Sequence, residues 1–121
     1  MLRGSCHCGA TKFEVTSAPE TVTRCTCTIC TKRGALWAYY PKADFTLLTD
    51  RSAVATYRWQ SMQVAHNFCP VCGCGTFTES PDWSSGEPDH DNPRVSVNAW
   101  LFDDFDIDVV PVEVIDGRNL W

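Results

Sequence analysis

The chain has 121 residues, 44% of them hydrophobic, with a formal charge of −5 and eight cysteines. That length predicts a single domain spanning residues 1–121, whose folding buries roughly two thirds of the unfolded chain's surface. An acidic balance with Lys and Arg scattered singly supplies no basic stripe for a phosphate backbone, and no apolar run reaches the length of a membrane span, so neither nucleic acid nor membrane is an expected partner.

The segment Met1-Leu2-Arg3-Gly4-Ser5 carries no apolar signal region, so a cytoplasmic location with reduced thiols is expected. It leads into Cys6-His7-Cys8. Strands are predicted at Thr11–Val15 and Thr21–Arg24 on either side of the turn Ser17-Ala18-Pro19. Cys25-Thr26-Cys27-Thr28-Ile29-Cys30 follows, with at most a helical turn after Cys30. Further strands are expected at Ala35–Tyr40, Phe45–Leu48, Ala53–Trp59 and Val64–Phe68, punctuated by Pro41-Lys42-Ala43-Asp44 and Thr49-Asp50-Arg51-Ser52. After Cys69-Pro70-Val71-Cys72-Gly73-Cys74 comes a strand at Gly75–Thr78. Glu79–Pro93, with three prolines and five acidic residues, reads as one exposed loop. Strands at Arg94–Asn98 and Val109–Ile115 complete the set, and the alternating acids of Asp103–Asp108 read as a strand with one wet face. Short Val-, Thr- and aromatic-rich runs with almost no 3.6-residue periodicity predict a mainly β, antiparallel domain. Trp37, Tyr39, Tyr40, Trp59 and Trp100 take core packing as their default role.

Thiols clustered this tightly are placed to share soft metal ions, and their number points to two ions. Disulfides are the rival reading, but they belong to secreted chains, and Cys-x-Cys closes an awkwardly small ring. Residues two apart on extended chain share a face, so Cys6/Cys8 and Cys25/Cys27 can each aim two sulfurs at one point. Cys69-x-x-Cys72-Gly73 is a knuckle whose glycine permits the tight turn. Cys6 and Cys8 with Cys69 and Cys72 make a closed four-thiolate set, the structural kind; Cys25, Cys27 and Cys30 make three ligands with an open fourth position, the reactive kind. Cys74 is the eighth thiol, either a small buried residue or a fourth ligand that closes the second set. His7 points away from its flanking ligands, His90 lies in the acidic stretch, and His66 is the first candidate for a proton carrier or an added ligand. Four thiolates also hold iron, which colour would distinguish from zinc.

The ordered elements Gly4-Ser5-Cys6-His7-Cys8-Gly9-Ala10, Cys25-x-Cys27-x-x-Cys30, Phe68-Cys69-x-x-Cys72-Gly73 and Asp116-Gly117-Arg118 resemble the glutathione-dependent formaldehyde-activating enzyme (GFA) family, which includes centromere protein V-like proteins. The resemblance implies a β-tent fold and two zinc ions, structural at Cys6, Cys8, Cys69 and Cys72 and catalytic at Cys25, Cys27 and Cys30. It implies a carbon–sulfur lyase whose partners are a small thiol such as glutathione and a small aldehyde, formaldehyde. Cys74 lies outside the family pattern. The substrate-binding residues are unassigned: glutathione's carboxylates call for cations, and Arg3, Arg24, Lys32, Arg33 and Arg58 are available, of which Lys32 and Arg33 lie nearest Cys30 in sequence. The alternative is a non-catalytic zinc module for protein interaction, which a fourth ligand at the second set would favour.

Overall fold

Alternation along the central strands sets the architecture. The computed structural model describes residues 1–120 and is mainly β, as the sequence predicts. Its strands are β1 (Leu2–Ser5), β2 (Lys12–Val15), β3 (Val22–Cys25), β4 (Trp37–Pro41), β5 (Phe45–Leu47), β6 (Ala55–Tyr57), β7 (Ala65–Phe68), β8 (Gly75–Asp82), β9 (Asp89–Asn98) and β10 (Val112–Ile115). Two short helices, α1 (Thr28–Arg33) and α2 (Gly117–Leu120), interrupt them. One sheet has three strands in the order β1-β2-β5; the other has seven, in the order β10-β3-β4-β9-β8-β7-β6. Pairing is antiparallel except that β10 runs parallel to β3.

In β4, Ala38 and Tyr40 face the core while Trp37 and Tyr39 face away; in β9, Val95 and Val97 face the core around an outward Ser96. Phe77 of β8 joins the core and its neighbour Thr78 turns away. This two-residue period gives the seven-stranded sheet one apolar face. Phe13 and Val15 of β2, on the small sheet, are buried in the same cluster, and the rings of Phe102, Phe13, Phe45 and Phe77 contact in that order. The other face of the large sheet is left to build the site.

β1 packs tightly at Gly4, against Phe13 of its partner strand and the 3-10 segment at Ala99–Leu101. A Cβ added there would lie 2.5 Å from Phe13 Cζ and 2.6 Å from the Leu101 carbonyl oxygen. Phe13 is fully buried and has no room to retreat. Gly4→Ala is therefore expected to destabilise the protein by about 1–3 kcal/mol through overpacking. An unchanged thermal midpoint would show that β1 is less tightly packed against Phe13 and Leu101 than this.

Several expectations need correction. β1 lies where no strand was predicted, because a Leu-Arg-Gly-Ser run carries no alternating apolar signal. Glu79–Pro93 is not one loop: β8 continues to Asp82 and β9 starts at Asp89, leaving only a short connection. A register shift between Ser80 and Asp82 takes up Pro81, which could not donate to a regular ladder. Asp103–Asp108 is not a strand but turns and the start of a 3-10 segment at Ile107–Val109, where Asp106 accepts the backbone N–H of Asp108 at 3.1 Å; Phe105 and Ile107 still pack on the core. Trp59 falls beyond β6, and Tyr39 and Trp100 are exposed rather than core residues. Among the described residues no helix is long and apolar enough to cross a membrane.

Candidate functional site

The first thiol group draws on two distant hairpin turns. Cys6 and Cys8 follow β1, and Cys69 and Cys72 occupy the turn between β7 and β8. Gly73, at φ +82°, allows that turn to close, its N–H donating to the Cys69 carbonyl at 2.8 Å. The four sulfurs lie within 4.8 Å of one another, with Cys6–Cys8 at 3.7 Å and Cys8–Cys69 at 3.6 Å. Sulfurs at the corners of a tetrahedron about 2.3 Å from a central zinc are separated by about 3.8 Å, so this donor set fits that ion. Burial works to raise the Cys6 thiol, but the Thr11 N–H, 3.3 Å from its sulfur, and the neighbouring Cys8 and Cys69 thiols bring it below its usual range. Backbone N–H groups of Cys74 and Cys8 hold the Cys72 thiol down at about 5. Amide donors aimed at sulfur are the expected surroundings of a thiolate ligand.

The second group sits where β3 runs into α1. Cys25 ends the strand, Cys27 is the N-cap residue of the helix, and Cys30 lies in its first turn. All three are buried and their sulfurs lie within 4.8 Å of one another. The helix thus begins before Cys30 and contains it, rather than following it. Its six residues are too few to show a helical period in the sequence. Burial pushes the Cys30 thiol far up, and the Cys27 thiol adds to this; Trp37 Nε1–H, 3.3 Å from the Cys30 sulfur, works the other way. Burial also raises Cys25, whose sulfur accepts the Cys27 N–H at 3.5 Å. Three thiols buried side by side are costly to ionise alone, and a dication would balance the charge.

These three thiols form one end of a cavity of about 550 Å³. Its floor is a row of register neighbours across the outward sheet face: Tyr39 of β4, Ser96 of β9, Thr78 of β8 and His66 of β7. Burial, aided by the charges of Arg33 and Arg58, pushes His66 down to about 4, so its ring is neutral near pH 7. Such a ring is a hydrogen-bonding group and a poor carrier of a proton. Nor does His66 join the three sulfurs as a ligand. Cys74 stands beside the first group instead: it takes a backbone hydrogen bond from His7 and feels the Cys72 and Cys6 thiols. It belongs to neither group of closely placed sulfurs.

A family model described as glutathione-dependent formaldehyde-activating enzyme matches residues 1–112. The chain belongs to that family. A GFA relative from Halomonas elongata, named provisionally as a glutathione-dependent formaldehyde-activating enzyme, is 33% identical over 92 residues. The match covers 69% of this chain and 59% of the relative, so the chain spans about three fifths of that protein's length. A crystal structure of a Rhodobacter sphaeroides protein superposes with a TM-score of 0.72 at 25% identity, covering 92% of this chain and 99% of that one.

The structure also gives a role to the Asp116-Gly117-Arg118 element, which lies beyond the residues matched by the GFA model. Asp116 accepts the Thr26 hydroxyl at 3.4 Å and both the backbone N–H and the side-chain amide of Asn119, and the Thr26 N–H donates to the Ile115 carbonyl at 3.0 Å. β10 and α2 thereby brace the Cys25–Cys27 segment, and Leu120 reaches the cavity. Among the cations, Arg3, Arg24, Lys32 and Arg58 are exposed. Arg33 is partly buried, its guanidinium 5.6 Å from the Phe68 ring centre and close to Gly75, between Cys30 and the knuckle of the first group.

Proposed function

We propose that this GFA protein is a zinc-dependent carbon–sulfur lyase that joins a small thiol to formaldehyde and cleaves the adduct. Cys6, Cys8, Cys69 and Cys72 would hold a structural ion, and Cys25, Cys27 and Cys30 a second one. When bound there, zinc would supply the positive charge that keeps a substrate thiol ionised near neutral pH. In the forward direction the thiolate sulfur forms a bond to the carbonyl carbon, the C=O π pair moves to oxygen, and that oxygen takes a proton equivalent to the one the thiol lost. The reverse breaks the same carbon–sulfur bond. The family and the name of the Halomonas relative support glutathione as the thiol, which would make the product S-hydroxymethylglutathione.

The observation that carries this reading is the difference between the two thiol groups: one has four donors, the other three donors at the end of a cavity. The chain's own residues then have definite tasks. Trp37 Nε1–H disperses charge on Cys30, and α1 fixes Cys27 and Cys30 in one register. Trp37→Phe keeps a ring but removes that donor, and lost outer-shell hydrogen bonds cost about 10–100-fold in metal affinity or activity. It is expected to weaken metal at the second group by about tenfold or more while leaving the first unchanged, which chelator competition on both centres would reveal.

The activity itself is tested by magnetisation-transfer NMR on a mixture of glutathione, formaldehyde and the zinc-loaded chain. Interconversion faster than the uncatalysed exchange is the predicted result. Exchange no faster than that of the metal-stripped chain would exclude glutathione as the thiol, and the same result with an uncharged thiol in its place would exclude the lyase and leave a zinc module that binds other proteins.

A further inference from the structure

Resting on the reading that a thiol is bound at Cys25, Cys27 and Cys30, the geometry points to an uncharged thiol bearing an aromatic or similarly broad apolar group as the substrate class, in place of a carboxylate-bearing peptide. The walls of the cavity include Trp37, Trp59 and Trp83, brought from β4, from the segment after β6 and from the turn after β8. Indole faces suit a flat ring, which they contact broadly at low cost in side-chain ordering. Among the described residues, no Lys, Arg, Asp or Glu lines the cavity. A carboxylate drawn into such a space would lose its hydration with no cation among the lining residues to replace it.

The floor favours neutral polar groups on the same ligand. His66 and Thr78 are more than nine-tenths buried, and His66 Nδ1 and Thr78 Oγ1 have no hydrogen-bond partner within the protein. Buried polar atoms are nearly always satisfied, so two unpartnered ones side by side on the cavity floor mark where a ligand's hydroxyl, amide or carbonyl would sit. The neutral state of His66 agrees with an uncharged ligand. Arg33 and Arg58 reach His66 through their charge but do not line the cavity. Lys42, Arg51, Arg58 and Arg94 line a separate cavity of about 290 Å³, beside Ala65, Glu79 and Val95, the strand residues that alternate with the floor row. Ser80 is the residue the two cavities share, and Arg51 and Arg94 are already paired with Glu79 and Asp82.

The test is calorimetric titration of the zinc-loaded full chain with phenylmethanethiol, glutathione and glutathione diethyl ester, with tryptophan fluorescence as a second readout. Phenylmethanethiol is expected to bind at least about tenfold more tightly than glutathione, the diester falling between them. Trp83→Ala, at a position 40% exposed, is expected to weaken phenylmethanethiol several-fold and glutathione little. Trp59→Ala provides the same comparison from the opposite chain segment. Glutathione binding as tightly as phenylmethanethiol, or weakened by Arg58→Ala, would overturn this substrate class while leaving the lyase reading intact. Failure of every thiol to bind would overturn both.

Discussion

Cys25→Ser is expected to abolish thiol–formaldehyde turnover, by more than about a hundredfold, because losing a ligand exceeds the 10–100-fold loss typical of an outer-shell change. It is also expected to lower the zinc content from two ions to one. The argument rests on how little redundancy this group has. Cys25, Cys27 and Cys30 are its only thiols, Cys74 stands at the other group, and His66 is not placed to substitute. A hydroxyl at position 25 is a far weaker ligand for zinc than a thiolate at neutral pH. The fold should survive, since the group spans a six-residue segment already held by α1 and by the pairing of β3 with β10. Circular dichroism and metal analysis of the variant check this. Turnover within a few-fold of the parent would remove Cys25 from the mechanism.

Cys69→Ala should have the opposite profile, costing the fold rather than the chemistry. Cys69 is fully buried, and its sulfur lies 3.6 Å from that of Cys8, sixty-one residues earlier in the chain. An ion at this group ties the turn after β1, on the small sheet, to the turn between β7 and β8, on the large one. Long-range closures remove more freedom from the unfolded chain than local ones, and binding energy at a structural zinc is folding energy. Set against a total stability of about 5–15 kcal/mol, a loss of about 3 kcal/mol or more is expected. That corresponds to a fall in thermal midpoint of roughly 10 °C, and to exposure of the second ion to chelator as the protein loosens. A variant as stable as the parent would show that the first group is dispensable to the fold.

The asymmetry between these two variants traces back to features that were legible in the sequence to different degrees. The two thiol sets could be read directly, because Cys-x-Cys and Cys-x-x-Cys-Gly restrict the backbone to turns that aim sulfurs together. The core strands were equally plain where one face is buried, as in Val95-Ser96-Val97. β1 escaped because its central residue is a glycine, chosen for close approach to Phe13 and silent in any hydrophobic pattern. The strand ends at Glu79–Asp82 and Asp89–Pro93 escaped because prolines and acids mask pairing that a register shift accommodates. The cavity was invisible for a different reason. Trp59 and Trp83 lie in irregular segments brought to the cavity only by the tertiary fold, so reading Trp59 as a core residue and Trp83 as part of an exposed loop gave no hint of a site.

Two groups of thiols with different duties remain the central claim, and a zinc stoichiometry taken through a chelator and thiol titration tests it most directly. The account predicts two zinc ions per chain, one withdrawn readily by a mild chelator and protected or perturbed by added thiol, the other retained until the protein unfolds. A single tightly held ion per chain, indifferent to thiol, would contradict it.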